Sequence, residues 1–106
     1  MVECGGTVFT AGFGPQDPVT GAVPEGVEAQ TRQVLLNVQG ALEKVGLSLS
    51  DVVKTTVHLA DLDRDTTLFN AVYAEMFDEP YPARTTVGST LAGILVEVDA
   101  VAIRSN

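Results

Sequence analysis

The stretch that decides the fold is residues 94–104, which read ILVEVDAVAIR. Its alternation with a period of two is typical of a β-strand with one buried face. That face carries Ile94, Val96, Val98, Ala100 and Ala102. The opposite face carries Leu95, Glu97, Asp99, Val101 and Ile103 and is half apolar, half acidic. We predict that helices cover the first face. The apolar residues of the second face indicate a contact with another subunit, because exposed apolar patches mark interfaces.

Two one-sided helices are predicted to supply that cover. Apolar residues recur at three- and four-residue steps over about 25–45, and Gly46 supplies the stop. Residues 61–65 offer N-cap candidates for a second helix that runs to about Phe77, with Leu68 among its core positions. The prolines in 79–82 end this helix, because each one disfavours the α conformation of the residue before it.

Three further strands are predicted at 7–11, 52–60 and 84–87, and residues 2–5 form a possible hairpin with the first of them. In the strand at 52–60, Val53 is expected to share the face of Thr55, Val57 and Leu59. The fold class is therefore α+β, a single sheet with two helices packed on one face. The length of 106 residues suits one domain, residues 1–106.

Composition excludes several function classes. Fourteen acidic residues against six basic ones give a net charge of −8, which repels phosphate backbones, so we expect no nucleic-acid partner. No apolar run is long enough to cross a membrane, so we expect no membrane partner, and no secretory signal is visible. The single cysteine, Cys4, cannot form an internal disulfide, and a reducing cytoplasm is the expected location.

Four polar residues are candidates for chemistry, each with a structural alternative. Arg84 could hold a carboxylate through two parallel hydrogen bonds, or it could form a surface ion pair. Glu97 interrupts an apolar strand, where a carboxylate suits proton transfer, or it faces solvent. Asn70 lies inside a helix, where asparagine has poor propensity, and points at a substrate or is a tolerated surface residue. His58, the only histidine, is more often structural in such a setting.

Signals for other chemistries are missing from the sequence. It contains no phosphate-binding glycine loop, no G-x-S-x-G elbow and no metal-ligand cluster. Cys4 has no histidine nearby in sequence and is not assigned as a nucleophile. Asp99 is assigned to a salt bridge or to a subunit contact.

Ordered motifs over nearly the whole chain resemble the RidA/YjgF family of reactive-intermediate (enamine/imine) deaminases. The motifs are Ala11-Gly12, Pro15, Asp17-Pro18, Thr20-Gly21, Val23-Pro24, Gln30-Thr31-Arg32-Gln33, Asn37, Val53-Lys54-Thr55-Thr56-Val57, Phe69-Asn70-Ala71-Val72-Tyr73, Tyr81-Pro82-Ala83-Arg84-Thr85-Thr86-Val87, Leu91 and Val96-Glu97-Val98-Asp99-Ala100.

The resemblance implies a chorismate-mutase-like fold in a homotrimer, with active sites in clefts between subunits. It also implies hydrolysis of 2-imino acids, such as 2-aminoacrylate from pyridoxal-phosphate enzymes, to 2-keto acids and ammonia without a metal or a cofactor. Arg84 matches the arginine that grips the substrate carboxylate, and Glu97 matches the glutamate that positions or activates the attacking water. Asn70 and Gly12 match positions lining the cleft. Thr86 stands where the family often has cysteine, and its backbone amide and carbonyl remain available.

The family's amino-terminal G-P-Y-type motif has no counterpart in residues 1–106, so we expect a more open pocket or a different substrate. Three functions remain open: a deaminase, a non-catalytic 2-keto-acid-binding or regulatory trimer, and a ribonuclease or translation inhibitor. The presence of both Arg84 and Glu97 favours the enzyme, because carboxylate binding alone needs no acid. The negative charge argues against the ribonuclease.

Overall fold

The computed structural model describes residues 1–105. The elements in chain order are β1 (Val2–Cys4), β2 (Thr7–Phe9), α1 (Val27–Glu43), a 3-10 turn (Leu49–Asp51), β3 (Val52–Leu59), α2 (Leu62–Met76), β4 (Ala83–Gly88) and β5 (Val96–Ile103). The five strands form one sheet in the order β1-β2-β5-β3-β4. Strands β3 and β4 pair in parallel, and the other neighbours pair antiparallel, so the sheet is mixed.

Both helices lie on one face of this sheet, as predicted; we call it the covered face, and the other the open face. The core between helices and sheet holds Val34, Leu35, Val38 and Leu42 of α1, Phe69 and Tyr73 of α2, and Val57, Leu59, Val98, Ala100 and Ala102 of the central strands. The predicted stop of α1 is confirmed. Gly46 adopts a φ of 78°, which lets Leu47 N–H fold back and donate to the carbonyl of Leu42 at 2.9 Å.

Two predicted positions are wrong: the strand face of Val53 and the core position of Leu68. The register of β3 against β5 shifts between Val52 and Lys54, and this bulge resets the alternation of side chains. Val52 is therefore buried at 6% exposure, whereas Val53 turns outward and is 47% exposed. Leu68 is 43% exposed, because the buried stripe of α2 runs through Phe69, Val72 and Tyr73 and leaves Leu68 at its edge.

The amino-terminal hairpin is confirmed: β1 pairs with β2. Strand β2 ends at Phe9, earlier than predicted, but the chain continues alongside β5. Thr10 N–H donates to the carbonyl of Ala100 at 2.9 Å, and Phe13 N–H donates to the carbonyl of Val98 at 2.8 Å. This path holds Gly12 next to the amino-terminal half of β5. Within residues 1–105, no helix is both long and apolar enough to cross a membrane.

Candidate active site

The first part of the candidate site lies on the covered face, where β4 meets α2; we call it the arginine group. Arg84 is the register partner of Thr55, a buried residue of β3, so its side chain starts toward the helices. Arg84 Nη2 donates to Asn70 Oδ1 at 2.6 Å. The guanidinium carbon lies 4.8 Å from the ring centroid of Tyr73 and 5.3 Å from that of Phe69. These contacts fix the plane of the guanidinium.

Tyr73 is in turn held in place by a hydrogen bond to β3. Its hydroxyl is hydrogen-bonded to Thr55 Oγ1 at 2.7 Å in the interior. Burial raises the pKa of Tyr73, and this outweighs the opposing effects of the Thr55 hydrogen bond and the positive charge of Arg84. A neutral phenol ring therefore lies beneath the guanidinium at neutral pH.

A pocket of about 260 Å³ opens beside the arginine group. It is lined by Asn70, Tyr73, Ala74, Tyr81, Pro82 and Arg84. Arg84 makes no ion pair with any residue in 1–105. The remaining guanidinium donors are therefore available to a carboxylate ligand, and they can bind it with the two parallel hydrogen bonds typical of arginine.

The second part of the site lies on the open face; we call it the glutamate group. Glu97 of β5 is half-buried and lies directly opposite His58 of β3. A Cβ atom built on Gly12 would come within 2.9 Å of Glu97 Cδ and 3.1 Å of Oε2, so a larger residue would displace the carboxylate from this position. Within residues 1–105, the Glu97 carboxylate takes part in no salt bridge.

His58 lies next to the glutamate group, and a residue outside that group holds its ring in place. Its Nδ1 is hydrogen-bonded to Ser89 Oγ at 2.7 Å, and Ser89 N–H donates to the carbonyl of Leu59 at 2.9 Å. Asp99, next along the same face, is opposite Thr56 and has no salt-bridge partner in residues 1–105, and its predicted subunit contact stays a prediction. Cys4 is exposed on the edge strand β1, away from both groups.

The two groups lie on opposite faces of the sheet. Arg84 pairs with Thr55 and Glu97 pairs with His58, and residues three apart on a regular strand point in opposite directions. Strand β3 separates them: two inter-strand spacings across the sheet and three residues along it, each about 10 Å, put their backbones about 14 Å apart. Thr86 pairs with Val57 and belongs on the side of Arg84. One chain therefore unites Arg84 with Asn70, and Glu97 with Gly12, but does not unite the two pairs.

Sequence reasoning missed two residues of these groups. The sequence analysis gives Tyr73 no role in a site, although its place three positions after Asn70 puts both on one helix face. Ser89 follows the end of β4 and gave no signal in the sequence, since its contact with His58 depends on strand pairing. Within residues 1–105, no three His, Cys, Asp or Glu side chains come together in a possible metal site.

Comparison with known proteins agrees with the fold and the motifs. The sequence profile of a family described as Endoribonuclease L-PSP matches residues 1–104. A 2-iminobutanoate/2-iminopropanoate deaminase from Salmonella typhimurium is 43% identical over 108 residues, covering 97% of this chain and 84% of that protein. A RutC family protein from Pyrococcus horikoshii is 42% identical, covering 97% of this chain and 83% of the relative.

Two solved structures show the same architecture. RidA from an Antarctic Psychrobacter superposes with a TM-score of 0.91 at 38% identity, covering 96% of this chain and 84% of that one. TdcF of Escherichia coli, crystallised with bound serine, gives a TM-score of 0.90 at 38% identity, covering 98% and 85%. The resemblance found in the sequence motifs is confirmed, and the chain belongs to the RidA/YjgF family, also described as Endoribonuclease L-PSP.

Proposed function

We propose that the chain is a 2-iminobutanoate/2-iminopropanoate deaminase that acts as a homotrimer of chorismate-mutase-like subunits. The observation that carries the proposal is the division of the site. Arg84 is prepared for a carboxylate on one face of the sheet, and Glu97 is held over Gly12 on the other face. A complete site then forms where the glutamate group of one subunit meets the arginine group of the next.

The open face supports such an assembly. Register places Val2, Phe9 and Val101 in one row across three strands, with Ile103 beside them. Phe9 is 45% exposed in the single chain, and covering this patch removes apolar surface from water. Because two different surfaces meet, the contact is heterologous, and such contacts close into rings such as trimers.

The proposed chemistry needs one acid–base group and one carboxylate clamp. Arg84 binds the substrate carboxylate and fixes its plane, while Asn70 holds Arg84. Glu97 takes a proton from water as the water oxygen bonds to the imine carbon, the C=N electron pair moves to nitrogen, and Glu97 returns the proton to that nitrogen. The resulting carbinolamine passes its hydroxyl proton, again through Glu97, to the amino nitrogen as the C–N bond breaks, which releases ammonia and leaves a 2-keto acid. The balance consumes one water, and Glu97 and Arg84 supply the acid–base group and the clamp, so the proposal includes no metal or cofactor.

The relatives support this function over the alternatives. The Salmonella relative is named as a 2-iminobutanoate/2-iminopropanoate deaminase, and TdcF holds serine, an amino acid with an α-carboxylate. The family description names an endoribonuclease, but a net charge of −8 disfavours binding of a phosphate backbone. A non-catalytic 2-keto-acid-binding trimer would use Arg84 without needing Glu97.

The test of the proposal is the variant Glu97→Gln. The amide keeps the size of the side chain but cannot take a proton, so hydrolysis of 2-iminopropanoate should fall by about 10²–10⁴. An amino-acid oxidase supplies the imine, and its loss is followed with and without the protein. Pyruvate binding, measured by calorimetry, should persist. Equal turnover by parent and variant would refute the catalytic role and favour the binding protein.

The companion variant is Arg84→Lys, which keeps the charge but loses the planar fork. It should weaken pyruvate binding by about 1–3 kcal/mol, roughly fivefold to 150-fold. Unchanged affinity would show that Arg84 does not hold the carboxylate. Together the two variants separate binding from turnover.

A further inference from the structure

The pocket beside Arg84 has one polar end and otherwise apolar walls. The polar end is formed by Arg84 and Asn70, joined by their 2.6 Å hydrogen bond. The walls are the rings of Tyr73 and Tyr81, the methyl group of Ala74 and the ring of Pro82. The Tyr73 hydroxyl is already engaged with Thr55, so this residue offers the pocket its ring and not a polar group.

Tyr81 has no evident role in the folded core. It is 45% exposed, although a tyrosine ring is among the larger apolar surfaces a residue can present. It lies between the cis Glu79-Pro80 bond and β4, in a segment that leads directly to Arg84. An exposed ring next to a prepared guanidinium is typical of a small-molecule site, in which apolar walls accompany a few placed polar groups.

From this pocket we infer a subsite for the substrate side chain, which selects 2-imino acids with a bulky aliphatic group of leucine or methionine size over 2-iminopropanoate. The inference rests on the proposed function, since it takes the substrate carboxylate to be on Arg84. A carboxylate held there places the α-carbon at the pocket mouth. The methyl group of 2-iminopropanoate fills little of about 260 Å³, whereas an isobutyl group reaches the two rings.

The stable 2-keto acid products provide the probes. Each methylene moved from water into an apolar site strengthens binding by about fourfold. We therefore expect 4-methyl-2-oxopentanoate to bind at least about tenfold more tightly than pyruvate in calorimetry on the full chain. Equal affinities, or tighter binding of pyruvate, would overturn the subsite while leaving the carboxylate clamp and the proposed function intact. If neither acid binds, the clamp itself fails.

Ala74→Leu is the direct test of the pocket wall. Ala74 is exposed on α2, so a larger side chain can be accommodated by the fold while it occupies the pocket. It should reduce the preference for 4-methyl-2-oxopentanoate over pyruvate by about tenfold. The matched control is Ala71→Leu, the same change on the same helix at an exposed position outside the pocket, which should leave the preference unchanged.

Tyr81→Ala tests the opposite wall by removing it. It too should lower the preference for the larger acid, and circular dichroism verifies that each variant is folded. A preference that survives both Ala74→Leu and Tyr81→Ala would contradict the subsite. A parallel loss in Ala71→Leu would contradict it also, because the effect would then come from α2 in general.

Discussion

The two faces of the sheet differ in how much of their structure the chain itself completes. On the covered face, Val98 is fully buried and Arg84 is bonded to Asn70 and stacked on aromatic rings. On the open face, Val101 remains half-buried and Glu97 has no salt-bridge partner within residues 1–105. The chain's own helices bury the covered face. We infer that a neighbouring subunit covers the open face and completes the candidate site.

The largest expected effect comes from introducing an aspartate on the covered face in one variant and on the open face in another. Val98→Asp buries a carboxylate without a partner beneath the helices and should cost about 3 kcal/mol or more, enough to unfold much of the protein. Val101→Asp should leave the chain folded but prevent assembly. Circular dichroism melting reports the first effect, and light scattering reports the second.

The two outcomes together test the difference between the faces. If Val101→Asp remained trimeric with unchanged melting, the open face would not be the subunit interface. If instead Val98→Asp were tolerated as well as Val101→Asp, the covered face would not be the packed core.

A smaller effect is expected at Gly12. A methyl group there displaces the Glu97 carboxyl, which is the movable end of a flexible side chain, so the cost in stability should stay within about 0.5 kcal/mol. Turnover should nevertheless fall by about tenfold or more, because a misplaced catalytic group loses its alignment.

Gly40→Ala is the control for Gly12→Ala. Gly40 lies in α1 with open space around its Cα, so alanine should raise stability by about 0.5–1 kcal/mol and leave turnover unchanged. Imine hydrolysis and urea unfolding are measured on both variants. Full activity in Gly12→Ala would show that the close approach to Glu97 has no functional meaning.

The smallest effect concerns Tyr73 beneath Arg84. Burial raises its pKa, so its neutral form contributes stability that is fully present below the unfolded value near 10 and is lost as pH rises through the higher folded value. Tyr73→Phe loses the Thr55 hydrogen bond, about 1 kcal/mol at pH 7. The difference in unfolding free energy between parent and variant should shrink as the pH rises above about 10 in urea unfolding. A gap that stayed constant over this range would contradict the raised pKa.

Much of the covered face could be predicted from the sequence, because the spacing of apolar residues along the chain matches the side chains that are buried there. The alternation in 94–104 and the helical steps of α1 depend only on local geometry. Val53 was misplaced because a bulge leaves no mark in an otherwise regular run. The sequence and its motifs also supplied the individual candidates Arg84, Asn70, Gly12 and Glu97, whose roles in a site stay predictions.

Which of these residues lie together could not be predicted from the sequence. That Arg84 and Glu97 point in opposite directions depends on the register of β4 and β5 against β3, which is set by long-range pairing. The position of Gly12 over Glu97 depends on backbone bonds from Thr10 and Phe13 to β5. Such contacts join residues far apart in the chain, and no local pattern encodes them.

The most direct test of a shared site mixes two inactive chains. Arg84→Lys and Glu97→Gln carry their defects in different groups, so co-expressed chains assembled at random in equal amounts should form intact sites at about a quarter of the interfaces. Mixed trimers, isolated through two different affinity tags, each contain one intact site in three whichever chain is in the majority, so they should recover about a third of parental imine hydrolysis. If each chain held its own complete site, mixing would restore nothing, and activity no higher than that of the separate variants would contradict the account.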